Sequence, residues 1–480
     1  MDSISQLKPK ELWRRFNELS LIPRPSKKEG KAADFVARFG NSLGLETIKD
    51  ETGNVIIRKP ATPGMEHKPG IILQTHLDMV PQKNSDKIHD FENDPISLRI
   101  DGEWMTADGT TLGADNGIGV AATLAILESN TLKHGPLEAL FTVDEETGMT
   151  GAKHLKPGIL KGSILMNLDS EDEGELYVGC AGGLDGTFRF EYDSEPAPAA
   201  AQLCRLSVTG LKGGHSGMDI NLGRGNANKI IFRILRALGS DIRLSSISGG
   251  SARNAIPREA FADLFVPNDK VAAAAALAGE TEKTVKAELK DCEPDIKIRF
   301  ERIEAAACSV IPAGVHSRIV DAVCAAPDGV LRMSDAMPDL VETSTNLAIV
   351  KSEKNSTTVS CLMRSSVDSA KEIPAMMLEA VFTLAGATSA FSGDYPGWNP
   401  NPDSQILLKM KAVYEKLYGR EPAVKAIHAG LECGLLGGIY PELDMISCGP
   451  TIRYPHSPDE KVHIGSVEKW WNFLTAVLES

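Results

Sequence analysis

The sequence predicts an α/β domain built on a mixed sheet and interrupted by a second, inserted α+β domain. Three observations predict it. Helical and strand patterns alternate from the N-terminus to about residue 180. After "YVGCAGGLDG" the strands change character and alternate apolar with polar residues. Beyond the Gly/Pro/Asn-rich stretch "SGDYPGWNPNPDS" at 392–404, a helix and a buried strand of the first kind return.

The elements follow in order. Helical periodicity covers "KELWRRFNELSLI" and "KAADFVARFGNSLG". "NVIIRK" and "GIILQT" are short, nearly continuous apolar runs, the mark of strands buried on both faces of a parallel or mixed sheet. A helix at "GIGVAATLAILES" and strands at "LEALFTV" and "GSILMNL" complete an α/β alternation with helices on both faces. "GTFRFEYD" and "CRLSVTGL" read as strands with one wet face. Helices are expected at "GNANKIIFRILRALG", at the alanine-rich "VAAAAALAGETEKTVKAELKD", where alanine is simply a good helix former, and at "AKEIPAMMLEAVFTLAG". Past the loop come the helix "QILLKMKAVYEKLYG" and the buried strand "LDMISCG". The expected division is therefore 1–183 with 395–480 for the discontinuous α/β domain, and 184–394 for the insertion.

Composition excludes several function classes. The 480 residues carry a net charge of −14, spread along the chain, which argues against nucleic acid or an anionic membrane as partner. At 42% hydrophobic and 24% charged, the chain is ordinary for a soluble globular protein. The first twenty residues have no apolar core for a secretion signal, and no run approaches the ~18 apolar residues of a membrane helix. Cysteines at 180, 204, 292, 308, 324, 361, 433 and 448 form no CxxC pair, so neither a disulfide framework nor a zinc knuckle is indicated. A cytoplasmic protein with reduced thiols is expected.

The chemistry lies at the strand exits. After "GIILQT" comes His76-Leu77-Asp78, after "LEALFTV" comes Asp144-Glu145-Glu146, and after "GSILMNL" comes Asp169. A short loop past "LDMISCG" carries His456, and Asp115 stands immediately before a helix. Open α/β sheets bind ligands beyond the carboxyl ends of their strands, so independent segments deliver His, Asp and Glu to one edge. Imidazole and carboxylate together suit zinc and related divalent ions, and the set suffices for two ions sharing one carboxylate. Alternation along 76–78 puts His76 and Asp78 on the same side, where Asp78 can accept from the imidazole. Of the paired glutamates, one can face the metals while the other stays free as a general base. A lone HxD, or a lone EE pair, is weak by itself; the strength lies in the shared strand-end position. "GADNGIG" lacks the Lys-Ser/Thr of a P-loop, "GCAGG" lacks GxGxxG spacing, and no GxSxG elbow occurs. His428 and Cys433 in "HAGLECG" are weak evidence for a thiol nucleophile.

At these residues the sequence resembles a known family. "THLDMV", "GTTLGADNGIGVA", "FTVDEETGMTGA", "LMNLDSEDEGELYVGCAGG", "GLKGGHSGMDI", "SARNAIPRE", "IHAGLECG" and "HSPDEKVHI" are similar to blocks of the aminoacyl-histidine dipeptidases. These are peptidase D-type cytosolic, Xaa-His or non-specific dipeptidases of the co-catalytic zinc aminopeptidase and carboxypeptidase superfamily. The resemblance implies hydrolysis of dipeptides with two divalent ions per subunit, zinc first and manganese or cobalt as alternatives. It implies that His76 and Asp169 bind one ion, Glu146 and His456 the other, and that Asp115 bridges. It further implies that Glu145 is the catalytic base and Asp78 its supporting aspartate. The insertion would be a lid and dimerisation domain of about 184–394, giving a homodimer. Within it, His215 would polarise the scissile carbonyl of a neighbouring site, and Asn254 and Arg364 would contact the substrate's polar groups and C-terminal carboxylate. Carboxypeptidase-like relatives carry Arg-Gly-Gly where this chain has His428-Ala429-Gly430-Leu431-Glu432. The variant fits the dipeptidase branch, with Glu432 placed to read a free amino group. An N-acyl amino acid deacylase or a tripeptidase using the same metals is the alternative.

Overall fold

The computed structural model describes residues 3–304 and 309–480 and divides into two compact units. One comprises the chain through Gly179 with Pro400–Ala426 and Leu431–Ser480; the other comprises Cys180–Asn399 with Ile427–Gly430. Cys308 lies outside the described residues.

The first unit is organised by a mixed sheet in the order Glu46–Lys49, Val55–Lys59, Leu137–Thr142, Ile71–His76, Ile164–Asn167, Asp444–Ser447, Glu175–Cys180, Ala423–Ile427. The four middle strands run parallel. Pairing toward both edges is antiparallel at Val55–Lys59 and at Ser447 against Tyr177. Every residue of Ile71–His76 and Leu137–Thr142 is buried, which is why these segments are continuous apolar runs rather than alternating ones. Helices Gly30–Ser42 and Ala114–Glu128 pack Ala33, Val36, Val120 and Leu124 onto Val55, Ile57, Ala139 and Phe141. Each of the fully buried Val, Leu, Ile and Phe side chains contributes about 1.5–3 kcal/mol of apolar transfer. Among the elements that escaped the sequence patterns are strands Leu98–Asp101 and Trp104–Ala107, which form a small sheet with Lys461–His463 and Ile452–Arg453.

In the second unit an antiparallel sheet runs Lys297–Arg302, Ala201–Thr209, Ala260–Pro267, Arg243–Gly249, Val341–Glu353, Ser356–Ser365, Gly182–Glu191, Thr388–Tyr395. Helices Ala227–Leu238, Val271–Glu288, Ala313–Ala325 and Asp368–Leu384 bury their apolar faces in one core with it. Asn226 caps the first of these, its side chain accepting from the N–H groups of Asn228 and Lys229. Phe382 stacks on Phe188 at 4.4 Å. Thr388–Tyr395 is the sheet's edge strand, and most of its side chains are exposed. Among the described residues, no helix is long and apolar enough to cross a membrane.

Candidate metal centre and substrate residues

Register places the metal-site side chains. His76 pairs with Thr142 and Gln74 with Asn167 across the parallel strands, so Asp169, two residues past Asn167, stands level with His76. Asp115 opens its helix in an extended conformation (φ −79°, ψ 111°). His456 sits at φ +60°, a left-handed conformation that costs a non-glycine residue energy and clusters at functional sites.

The side chains meet in a chain of short contacts. His76 Nε2 lies 3.0 Å from Asp115 Oδ1, and 3.2 Å from Asp169 Oδ1 without the alignment of a hydrogen bond. His456 Nε2 lies 3.3 Å from Asp115 Oδ2 and 2.9 Å from Glu146 Oε2. One donor atom each from His76, Asp115 and Glu146 falls within 4.8 Å of the others. Asp115 thus turns its two oxygens toward two different histidines. Each histidine also meets a second carboxylate.

Electrostatics supports a cation there. Burial and the Asp115 and Glu146 carboxylates push the Asp169 carboxyl up to about 7, although His76 opposes it. Burial with Asp115 and Asp169 lifts Glu171 to about 8. Burial disfavours a charged His76 ring, yet the surrounding carboxylates hold its affinity for a proton well above the usual range. Hydrogen bonds to Asp115 and Glu146 raise His456 to about 11. Carboxylates outnumber cations, and Glu146 Oε1 and Asp169 Oδ1 are buried without a hydrogen-bond partner. Oxygens left open at the centre of an acidic cluster, beside two imidazoles, fit divalent metal ions.

The paired glutamates are held by Asp78. Its Oδ1 accepts the Glu145 N–H at 3.0 Å and its Oδ2 the Glu146 N–H at 3.2 Å. His76 Nδ1 lies 3.4 Å from the same Oδ1. Burial would raise this carboxyl, but His76, the Glu145 amide and Ser26 bring it down to about 2, so it stays anionic. The turn itself is fixed from behind. Asp144, left-handed at φ +51°, accepts from the hydroxyls of Thr147 and Thr150, and Asn54 bonds Val143 and Gly151. Glu146 then meets His456, while the Glu145 carboxylate takes no hydrogen bond among the described residues. Burial, with Asp169, Glu432 and Glu146 around it, raises Glu145 well above the usual carboxyl range against the pull of His76.

The inserted unit gathers its own cluster. His215 lies in the short strand Gly214–His215, paired with Ala255–Ile256. Its Nδ1 accepts the N–H of Gly217 at 3.2 Å and of Met218 at 3.1 Å, which assigns the proton of the neutral ring to Nε2. Burial and then Arg364 lower the ring's proton affinity, keeping it neutral. Ser216 joins the three residues singled out in this unit: its N–H bonds Asn254 O at 2.9 Å, and its hydroxyl lies 3.5 Å from Arg364 Nε. Arg364, 5% exposed, donates to the Tyr395 hydroxyl at 3.0 Å and meets no carboxylate among the described residues. The Asn254 side chain is exposed.

Comparison with known proteins gives the family. Residues 72–480 match the family model "Peptidase family M20/M25/M40". The chain belongs to peptidase family M20/M25/M40. Within the M20 family it is 45% identical over 481 aligned positions to the cytosol non-specific dipeptidase of Escherichia coli K12, covering 100% of this chain and 99% of that protein. The aminoacylhistidine dipeptidase of Vibrio alginolyticus superimposes with a TM-score of 0.92 at 50% identity, over 100% of this chain and 98% of that one. The aminopeptidase PepT of Bacillus cereus, at 16% identity and a TM-score of 0.57 over 98% of both chains, shares the fold.

The sequence singled out Glu432 but not the polar residues packed around it. Glu432 is 1% exposed; its Oε2 accepts from Gln74 at 2.6 Å and Thr142 at 2.7 Å, and burial pushes its carboxyl up to about 7. It therefore lies within a buried floor. That floor continues from Gln74 to Asn167 and Ser447, which with Thr142 stand on four adjacent strands, and Ser447 also bonds Ser170 in the loop past Asn167. The signal was there: a Gln, Asn, Thr or Ser near the C-terminal end of each mostly apolar run. His428, dismissed beside Cys433, belongs to the Arg364 unit, where Ser344 bonds its Nε2 at 2.7 Å.

Proposed function

We propose that this chain is a dipeptidase working with two divalent metal ions, Xaa-His dipeptides among its substrates. The observation that carries the reading is Asp115, whose two oxygens face His76 and His456 at 3.0 and 3.3 Å. His76 and Asp169 would hold one ion and Glu146 and His456 the other, with Asp115 between them. Nitrogen and carboxylate donors favour zinc, with manganese or cobalt as substitutes. Bound there, the ions supply Lewis acidity toward a carbonyl and a water.

The chain's own residues do the rest. Glu145, carrying no hydrogen bond of its own, takes the proton of the attacking water and delivers it to the leaving amine. Asp78 holds the backbone of both glutamates and the His76 ring, fixing which glutamate faces the metals. His215, with its proton on Nε2, donates to the carbonyl oxygen as charge develops there. Arg364, a buried guanidinium without an acid, takes the substrate's C-terminal carboxylate as a fork, and Asn254 offers a further polar contact. Glu432 meets the substrate's amino group only through its Oε1, which has no hydrogen-bond partner.

A cytoplasmic homodimer joined through the inserted lid unit completes the reading. Supporting it, helix Asp368–Leu384 exposes Ile373, Met376, Met377 and Leu384 along one stripe beside the open edge Thr388–Tyr395. The deciding experiment is hydrolysis of a dipeptide panel, with and without a C-terminal His, by chelated enzyme reloaded with Zn²⁺ or Mn²⁺, beside Glu145→Ala. Metal-dependent turnover, lost in Glu145→Ala with metal content intact, supports the dipeptidase. No turnover in any form with two metals bound refutes it.

A further inference from the structure

The His456 loop carries a second acid, Glu460, that touches no candidate ligand side chain. It is 2% exposed. Its Oε2 accepts the N–H groups of Leu112 at 2.8 Å and Gly113 at 2.9 Å. Its Oε1 accepts those of Ala114 at 2.8 Å and Asp115 at 3.3 Å. Its own N–H closes on Ser457 O at 3.0 Å, one residue past His456. One side chain therefore ties the loop bearing His456 to the four residues that end at Asp115.

The other side of that segment is held by a cation. Arg24, 2% exposed, donates through Nη1 to the carbonyls of Leu77 at 2.9 Å and Asp78 at 3.0 Å, and through Nη2 to Gly113 O. Nothing can be added between them. A Cβ on Gly113, at φ +68°, would stand 2.6 Å from Arg24 Nη2 and 2.8 Å from Met79 Sδ. The Leu112–Asp115 backbone is thus clamped between a buried anion on its N–H groups and a buried cation on a carbonyl. Four buried amides that lose their acceptor cost about 1–3 kcal/mol each, so this loop cannot keep its path without Glu460.

We propose that Glu460 is a positioning residue that fixes Asp115 and His456 relative to each other and thereby sets the affinity for the ion they share. This rests on reading Asp115 and His456 as ligands of one ion. Asp115 serves two histidines with one carboxylate, so a small rotation of its backbone misplaces both oxygens. His456, 50% exposed and at a costly φ, has little else to hold it. Partners behind a metal ligand are worth about 10- to 100-fold in metal affinity.

The test titrates chelator-treated protein with Co²⁺, following the visible absorption band for affinity and ligand geometry and circular dichroism for the fold. Wild type, Glu460→Gln, Glu460→Asp and the exposed neighbour Asp459→Asn are compared. Wild type and Asp459→Asn take up two ions. Folded Glu460→Gln binds at least one of the two ions about 10- to 100-fold less tightly, with an altered band, and the shorter anion in Glu460→Asp recovers part of the loss. Two ions bound by folded Glu460→Gln with wild-type affinity and spectrum overturns the proposal. If Glu460→Gln does not fold, Glu460→Asp decides by the same criterion. Wild type binding fewer than two ions instead overturns the two-ion reading, and the proposal with it.

Discussion

The two units solve opposite electrostatic problems. In the α/β unit, carboxylates crowd two histidines and leave buried oxygens open. In the inserted unit, a buried guanidinium lies beside histidines and forms no ion pair among the described residues. The histidines record the difference. His76 and His456 are driven toward the charged form, whereas burial and neighbouring Arg364 hold His215 and His428 neutral, His428 as low as about 3. Each cluster is left with an imbalance among the described residues: carboxylates exceed cations in the first, and Arg364 forms no ion pair in the second. Under the proposed function, a metal ion and a substrate carboxylate would be the complements.

The sharpest way to break this comparison is to weaken the acidic cluster. Asp115→Asn keeps shape but removes the shared anion; turnover is expected to fall by at least about a thousandfold, roughly 4 kcal/mol, with metal content below one ion by elemental analysis. A folded, fully loaded and active Asp115→Asn would remove the bridging role. Next in size is an acid effect on the inserted unit. Burial and Arg243 lower His316 from 6.5 to about 4. The unfolded chain binds that proton first, so stability is complete above pH ~6.5 and declines as pH falls toward 4, by on the order of 3 kcal/mol. Urea melts at pH 7 and pH 5 measure it, and His316→Asn flattens the slope. Equal slopes would mean that other groups carry the acid response.

Arg364→Met tests the missing anion. KM for dipeptides should rise about 30-fold, near 2 kcal/mol, while the melting temperature stays level or rises because an unpaired buried charge is gone. A fall in stability with KM unchanged would make Arg364 structural. The smallest effect is Tyr395→Phe, which removes one hydroxyl from that guanidinium. A KM change of about fivefold is expected, roughly 1 kcal/mol, and no change would detach Tyr395 from substrate binding.

Sequence periodicity located the middle strands well because burial on both faces leaves no alternative to continuous apolar runs. Those strands then pointed to His76, Glu145, Glu146 and Asp169 by position alone. Glu460 and Arg24 were invisible because they bond backbone, and backbone leaves no residue-type pattern. His428 was read with Cys433 along the chain, whereas its partner Ser344 lies 84 residues away. The return of Ile427–Gly430 to the inserted unit was also hidden. It depends on the Ala181 N–H reaching the carbonyls of Ile427 and Ala429, a pairing between distant segments.

The polar floor under the metal centre has a consequence for folding. Gln74, Asn167 and Ser447 stand at one level of the sheet, Thr142 stands two residues further on, and they interlock through one another and Glu432. A strand that slipped by one residue during assembly would turn its polar side chain to the other face and strand a buried donor. Each such error costs about 1–3 kcal/mol, whereas apolar neighbours alone would tolerate it far better. The floor thus penalises misaligned registers of the sheet.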